Sequence, residues 1–130
     1  MLIARLMTAN PATVSSHDNL RVAATLMEHG GYRRVPVVDD GKLVGIVSDR
    51  DVRAHPGYLD TTRVTAAMTW EPKTVTPKMT VEDAARLMIE HKIGGLPVVE
   101  NGALVGIITA TDILKAFLQV EAATQAFADE

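Results

Sequence analysis

Cysteine is absent from the 130-residue chain. That absence removes disulfides, thiolate nucleophiles and cysteine-based zinc sites together, and it suits a reducing compartment. Aromatic residues are scarce at 4%, and the formal net charge is only −3. A nucleic-acid backbone asks for clustered Lys and Arg to displace its counterions, so no nucleic-acid partner is expected. No run approaches the roughly 18 apolar residues of a membrane span. The opening MLIARLMTANP holds too short an apolar stretch for a signal peptide. A cytoplasmic location away from membranes is therefore expected.

Catalytic signatures are missing as well. There is no G-x-x-x-x-G-K-[ST] phosphate loop and no convincing nucleophile, base or metal constellation, so no enzyme is expected. His17, His29, His55 and His91 lack the paired spacing of metal ligands and read as surface or cap residues. Asp39-Asp40 is explained by hairpin-turn chemistry, and Met27 and Met88 by helix cores.

What is present is a tandem repeat. VPVVDDGKLVGIVSDRDV (Val35 to Val52) returns as LPVVENGALVGIITATDI (Leu96 to Ile113) at an offset of 61 residues. The register holds without a gap from Met7–Arg53 to Met68–Leu114, with 18 of 47 positions identical. A half of this length standing alone would bury only about 60% of its unfolded surface, so two halves packed on each other form the more credible core. With 47% hydrophobic residues, the chain has the composition for it.

Each copy reads as β-α-β-β-α. A brief strand around Thr13-Val14 or Thr74-Val75 precedes an amphipathic helix, capped by Asp18 or Thr80. Its apolar stripe is Leu20, Ala23, Ala24 and Met27 in one copy and Val81, Ala84, Ala85 and Met88 in the other, with stops at Gly30-Gly31 and near Gly94-Gly95. Two β-branched runs across DDGK or ENGA then form a hairpin, and a second helix starts at Ser48 or Thr109. These readings divide the chain into a first repeat over 1–60, with a linker from about 54, a second over 61–118, and a helical tail over 119–130. In the tail, Phe117, Val120 and Phe127 share a face with Ile113, fit to pad the core or to cover a partner subunit.

The proline in VPVV or LPVV, followed by G-I-V-S-x-x-D (Gly45 to Asp51) or G-I-I-T-x-x-D (Gly106 to Asp112), resembles the CBS domain, used in pairs as the Bateman module. The match runs from about Ile3 to Phe117 and occurs twice in register. The chain also looks like the CBS pair of acetoin-utilisation-type regulatory proteins, here as a stand-alone pair. The resemblance implies an α+β (α/β-type) fold of two pseudo-symmetric repeats packed through their sheets. It implies two clefts for adenosine-containing ligands, commonly AMP, ADP, ATP or S-adenosylmethionine, held as regulatory ligands with no cofactor required. It further implies association, with a homodimer expected, and an unidentified regulated protein. Carried onto this sequence, Asp51 and Asp112 hold ribose hydroxyls, and Ser48 and Thr109 face phosphates. Backbone at Thr13, Val14, Val35 and Pro36 in one cleft, and at Thr74, Val75, Leu96 and Pro97 in the other, holds adenine.

On residue chemistry alone, S-x-x-D is close to a capping box that starts an ordinary helix. The two readings are compatible, because a helix start presents free N–H groups to an anion. The strand glycines Gly45 and Gly106 mark either a bulge or a close approach.

The copies differ most in cations. Arg33-Arg34 aligns with Gly94-Gly95, and Arg50 with Thr111; Arg34, Arg50, Gly95 and Thr111 are therefore also expected to be ligand-binding positions, and the cleft of Ser48 and Asp51 the better phosphate site. The same arginines also fit a solvated face or an intersubunit ion-pair set. Lys73 (aligned with Ala12) and Lys78 (aligned with His17) return some positive charge to the second copy, and the sole tryptophan, Trp70, is a candidate interface residue. The expected function is a non-catalytic sensor of adenosine ligands that signals by a change in conformation. The rival is a ligand-free dimerisation or scaffold module whose S-x-x-D motifs only cap helices.

Overall fold

A computed structural model describes residues 1–128, apart from the side chain of Phe127. Both expected hairpins form: β2 (Arg34–Asp39) pairs with β3 (Lys42–Ser48), and β5 (Gly95–Glu100) with β6 (Ala103–Thr109). Asp40-Gly41 and Asn101-Gly102 turn them with both central residues at positive φ, between 51° and 80°, the geometry that suits the right-handed twist of a tight hairpin. In each hairpin the register slips by one residue between Val37 and Val38, or Val98 and Val99. Val44 and Val105 are thus the extra residues of matching bulges beside Gly45 and Gly106.

The amphipathic helices are α2 (Leu20–Gly30) and α5 (Val81–His91). They bury Leu20, Ala23 and Met27, or Ala84 and Met88, against their own hairpins. Thr80 caps α5 as expected: its hydroxyl accepts the Asp83 N–H at 3.0 Å and its own N–H donates to Asp83 Oδ2 at 3.0 Å. Asp18 does not cap α2. Its carboxylate accepts the Ser15 N–H at 2.8 Å, and the cap position falls to Asn19, whose side chain makes no cap bond. The first-turn N–H groups of α2 are met instead by the 55–62 linker, where the Thr62 and Leu59 carbonyls accept from Leu20 (2.8 Å) and Arg21 (3.1 Å). Helix α5 ends at a left-handed Lys92 rather than near Gly94-Gly95, so these glycines are left to lead into and open β5.

The strands expected at Thr13-Val14 and Thr74-Val75 shrink to single parallel bridges, Val14↔Val37 and Val75↔Val98. The short strands lie earlier, as β1 (Thr8–Ala9) and β4 (Thr69–Trp70), and each follows a one-turn helix, α1 (Ile3–Leu6) or α4 (Val64–Ala67). Both cross over. β1 pairs with β6 of the second copy and β4 with β3 of the first, giving a six-stranded sheet in which the hairpins themselves meet only at Lys42↔Ala103. The helices cross with them. Ile3, 0% exposed, completes the core of Val75, Ala84, Met88, Leu96, Val98 and Ile108, while Val64, also 0% exposed, completes that of Leu20, Val35, Val37 and Val47.

The glycines permit this exchange. A Cβ on Gly45 would lie 2.9 Å from the Thr69 carbonyl oxygen, and one on Gly106 2.9 Å from that of Thr8. Strand glycine here serves both a bulge and a close backbone approach.

The last helices differ in length. α3 (Asp49–Arg53) stops after five residues ahead of Pro56-Gly57, whereas α6 (Ala110–Ala128) runs for 19. The tail expected over 119–130 is thus the continuation of α6 as far as Ala128, and its last two positions lie outside the described residues. Ile113 packs on the second core and Ala116 is buried, but Phe117 and Val120 are 56% and 53% exposed, so they do not pad the core. The side chain of Phe127 lies outside the described structure.

Candidate functional site

Two clefts open where the copies meet, and they are lined by corresponding positions. One, of about 500 Å³, is bounded by Ser48 and Asp51 from the first copy and by Thr69, Pro72, Lys73 and the His91–Gly95 connection from the second. The other, of about 410 Å³, is bounded by Thr109 and Asp112 from the second copy and by Thr8, Pro11, Ala12 and the Gly31–Arg34 connection from the first. Each cleft therefore takes its S/T-x-x-D from one copy and its helix-to-strand connection from the other.

The capping box forms in both. Ser48 N–H donates to Asp51 Oδ2 at 2.8 Å, and Asp51 N–H donates to Ser48 Oγ at 3.2 Å. Thr109 and Asp112 repeat the pair at 2.9 and 3.2 Å. The box commits only part of each side chain. Oδ1 of each Asp accepts no hydrogen bond from the described residues, and each hydroxyl accepts while its own proton is not used among them. A half-buried carboxylate oxygen and a hydroxyl donor are thus presented side by side, a pair suited to a diol and an anion.

Among the sequence-predicted residues, Arg34, Ser48, Arg50, Asp51 and Gly95 line the first cleft, and Arg34, Thr109, Thr111 and Asp112 the second. Val14, Val35, Pro36, Val75, Leu96 and Pro97 line neither, because their side chains are buried in the cores. Backbone there is partly committed too: Val14 N–H donates to the Pro36 carbonyl, and Val75 N–H to that of Pro97. Thr13 and Thr74 are exposed and also lie outside both linings.

Sequence reasoning alone did not single out Thr8, Asn10, Pro11, Tyr32, Lys92 or Arg53. The repeat carried a signal for two of these positions, since Thr8 equals Thr69 and Pro11 equals Pro72.

The charge asymmetry exists, but different residues make it. Arg33 and Arg34 line both clefts, so the Thr109 cleft is not neutral. Arg50, Arg53, Lys73 and Lys92 line only the Ser48 cleft, and Lys73 thus adds charge to the first cleft rather than to the second. Arg53 is offset by Asp49, 3.6 Å away. Burial holds the Arg34 guanidinium pKa below the ordinary arginine value, with Asp49 opposing the shift and Arg33 adding to it. Among the described residues no group of acids and histidines is arranged to hold a metal ion, and no helix is long and apolar enough to cross a membrane.

The family model for the CBS domain matches residues 3–57 and 64–119. The CBS domain-containing protein YhcV of Bacillus subtilis (strain 168) is 37% identical over 110 residues, covering 82% of this chain and 79% of that one. An acetoin utilization protein (AcuB) from Vibrio cholerae is similar in structure, with a TM-score of 0.85, 34% identity and coverage of 97% of this chain and 96% of the other. CBSX2 in complex with AMP superposes with a TM-score of 0.83 at 33% identity, over 92% of this chain and 98% of that one. The CBS domain pair of protein MJ0100, in complex with 5′-methylthioadenosine and S-adenosyl-L-methionine, gives 0.83 at 28% identity, over 90% and 95% of the two chains.

Proposed function

The chain belongs to the CBS domain family as a tandem pair, and from that premise we propose that it is a non-catalytic regulatory module for adenosine-containing ligands. AMP, ADP, ATP and S-adenosylmethionine are the candidates, and the Ser48 cleft is the stronger phosphate site. The observation that carries the reading is the pair of half-committed S/T-x-x-D boxes, each facing a connection from the other copy across a cleft. A ligand spanning such a cleft touches both copies, so it favours one relation between them over others, and that preference is the signal. The purine would rest on the connection and the crossing segment, the ribose on Asp51 or Asp112, and phosphates on the arginines.

Thermal unfolding with AMP, ADP, ATP, S-adenosylmethionine and NADH tests the reading. Ligand at about 100 times its Kd adds roughly 2.7 kcal/mol of stability. No shift with any of them at millimolar concentration would sink it.

The scaffold reading draws on one observation of its own. On α6, Leu114, Phe117, Leu118 and Val120 are 53–64% exposed, an apolar face that a second copy would cover. A homodimer through this helix is compatible with ligand binding and is checked by sedimentation of Phe117→Asp, which should be monomeric at concentrations where the parent chain is dimeric.

A further inference from the structure

We infer that Arg34 is a single phosphate arm shared by the two clefts, so that a phosphate-bearing adenosine ligand in one weakens the same ligand in the other. This rests on the nucleotide-binding reading above and adds a coupling between its two sites.

Arg34 begins β2 opposite Ser48 and lines both clefts. Its stem lies along the backbone of Gly94 and Gly95. A Cβ on Gly95 would stand 2.6 Å from Arg34 Cδ, and one on Gly94 2.5 Å from Nη2. Gly95 is also the position that corresponds to Arg34 in the repeat. At the place where the copies meet, one therefore supplies an arm and the other the trough in which it lies. A side chain on either glycine would have to displace the arm from this trough.

The arm is also uncommitted. No carboxylate of the described residues lies within ion-pair distance of it, and Asp49, the favourable charge that acts on it, is paired with Arg53 at 3.6 Å. A half-buried guanidinium without a counterion gains more from a phosphate than an exposed one does, because it has already lost part of its water. Its donors form one planar fork, fit for one phosphate in a bidentate grip. A ligand that captures the fork denies it to the other cleft, and linkage makes the penalty mutual. Arg33, which is exposed, carries less of the effect because solvent screens it. Loss of one charge-assisted contact at a partly exposed site corresponds to about a 10-fold change in affinity.

Two-site calorimetric titration of the full chain with ADP and with adenosine, which lacks phosphate, tests the coupling. The Thr109 cleft of the parent chain, filled after the Ser48 cleft, is expected to bind ADP about 10-fold more weakly than it does in Asp51→Ala, where the Ser48 cleft is disabled. Arg34→Gln should bring that ratio to one, and adenosine should show no such ratio in any variant. Asp51→Asn, which keeps an acceptor for the cap, repeats the measurement should Asp51→Ala fold poorly. A ratio of one in the parent chain overturns the inference, as does a ratio that persists in Arg34→Gln, or a Thr109 cleft that takes no ADP in Asp51→Ala. Silence of every variant toward both ADP and adenosine overturns the regulatory reading as well, which sets that failure apart from the others.

Discussion

The two clefts are assembled from corresponding positions of one repeat, yet one is lined by six Lys and Arg side chains and the other by two. What they share is Thr8 and Thr69, exposed on the crossing strands, Pro11 and Pro72 after them, and an acid at Asp51 and Asp112 that also completes a helix capping box. What separates them sits on side chains that packing leaves free, such as Lys73 against Ala12, Lys92 against Gly31 and Arg50 against Thr111. Backbone symmetry is enforced by burial, while charge is not, and so a duplicated fold can hold two chemically different sites.

The largest effect expected falls on the shared frame. Ile3→Ala should lower stability by about 2–5 kcal/mol, the usual cost of a truncated core aliphatic, although Ile3 stands far ahead in sequence of the core it fills. Urea unfolding measures it, and a loss below about 1 kcal/mol would mean that the crossing of α1 does not hold the second core together. Next comes the contrast between the clefts. Asp51→Ala should weaken the tighter of two ATP sites and Asp112→Ala the looser one, each by roughly 10-fold or more. Equal effects on a single site would erase the distinction, unchanged binding would take the ribose away from these carboxylates, and no ATP binding in the parent chain or either variant would favour the scaffold reading.

Gly45→Ala and Gly106→Ala probe whether the frame is symmetric in energy as well as in shape. Each forces a Cβ against a backbone carbonyl, so both should cost about 1–3 kcal/mol by the same unfolding assay. A loss in only one copy would show that the crossing strand of the other can give way. The helix starts are not alike, and Thr80→Ala should cost about 1 kcal/mol, whereas Asn19→Ala, which removes no cap bond, should stay within about 0.5 kcal/mol.

The smallest effect is in pH. Hydrogen bonds from the Thr80 backbone and side chain hold the Asp83 carboxyl below its ordinary value, and Ser16 and Ser15 do the same for Asp39. A depressed folded-state pKa gives stability that is complete above the unfolded value and is lost as pH falls through the folded one. Melting temperature should therefore decline below about pH 4, and less steeply in Asp83→Asn.

Much of this was legible in the sequence. Both hairpins, the helix stripes and the S/T-x-x-D boxes stand where period, turn residues and repetition place them. The crossing of the copies was not, because two-residue strands such as Thr8–Ala9 have no period to read and pair with residues about a hundred positions away. The same blindness affected the clefts. Val35 and Pro36 share a copy with Ser48 but are buried, while Lys92, remote in sequence, lines the same cleft as Asp51. Asp18 was a reasonable cap by residue type, yet Ser15 takes its carboxylate, and the linker carbonyls of Leu59 and Thr62 supply what a cap would leave unmet.

The exchanged helices also set an order of assembly. The first core needs nothing beyond Met68, so it can close while the rest of the chain is still being made. The second must wait for its own residues and then recover Ile3, whose N–H bonds to the Met79 carbonyl at 2.9 Å, by closing a loop through most of the protein. Until that happens the opening turn is a loose key and the second core an unfilled lock. In a crowded solution of nascent chains, the same geometry lets the opening turn of one molecule fill the second core of another, the route by which a helix-exchanged dimer would form.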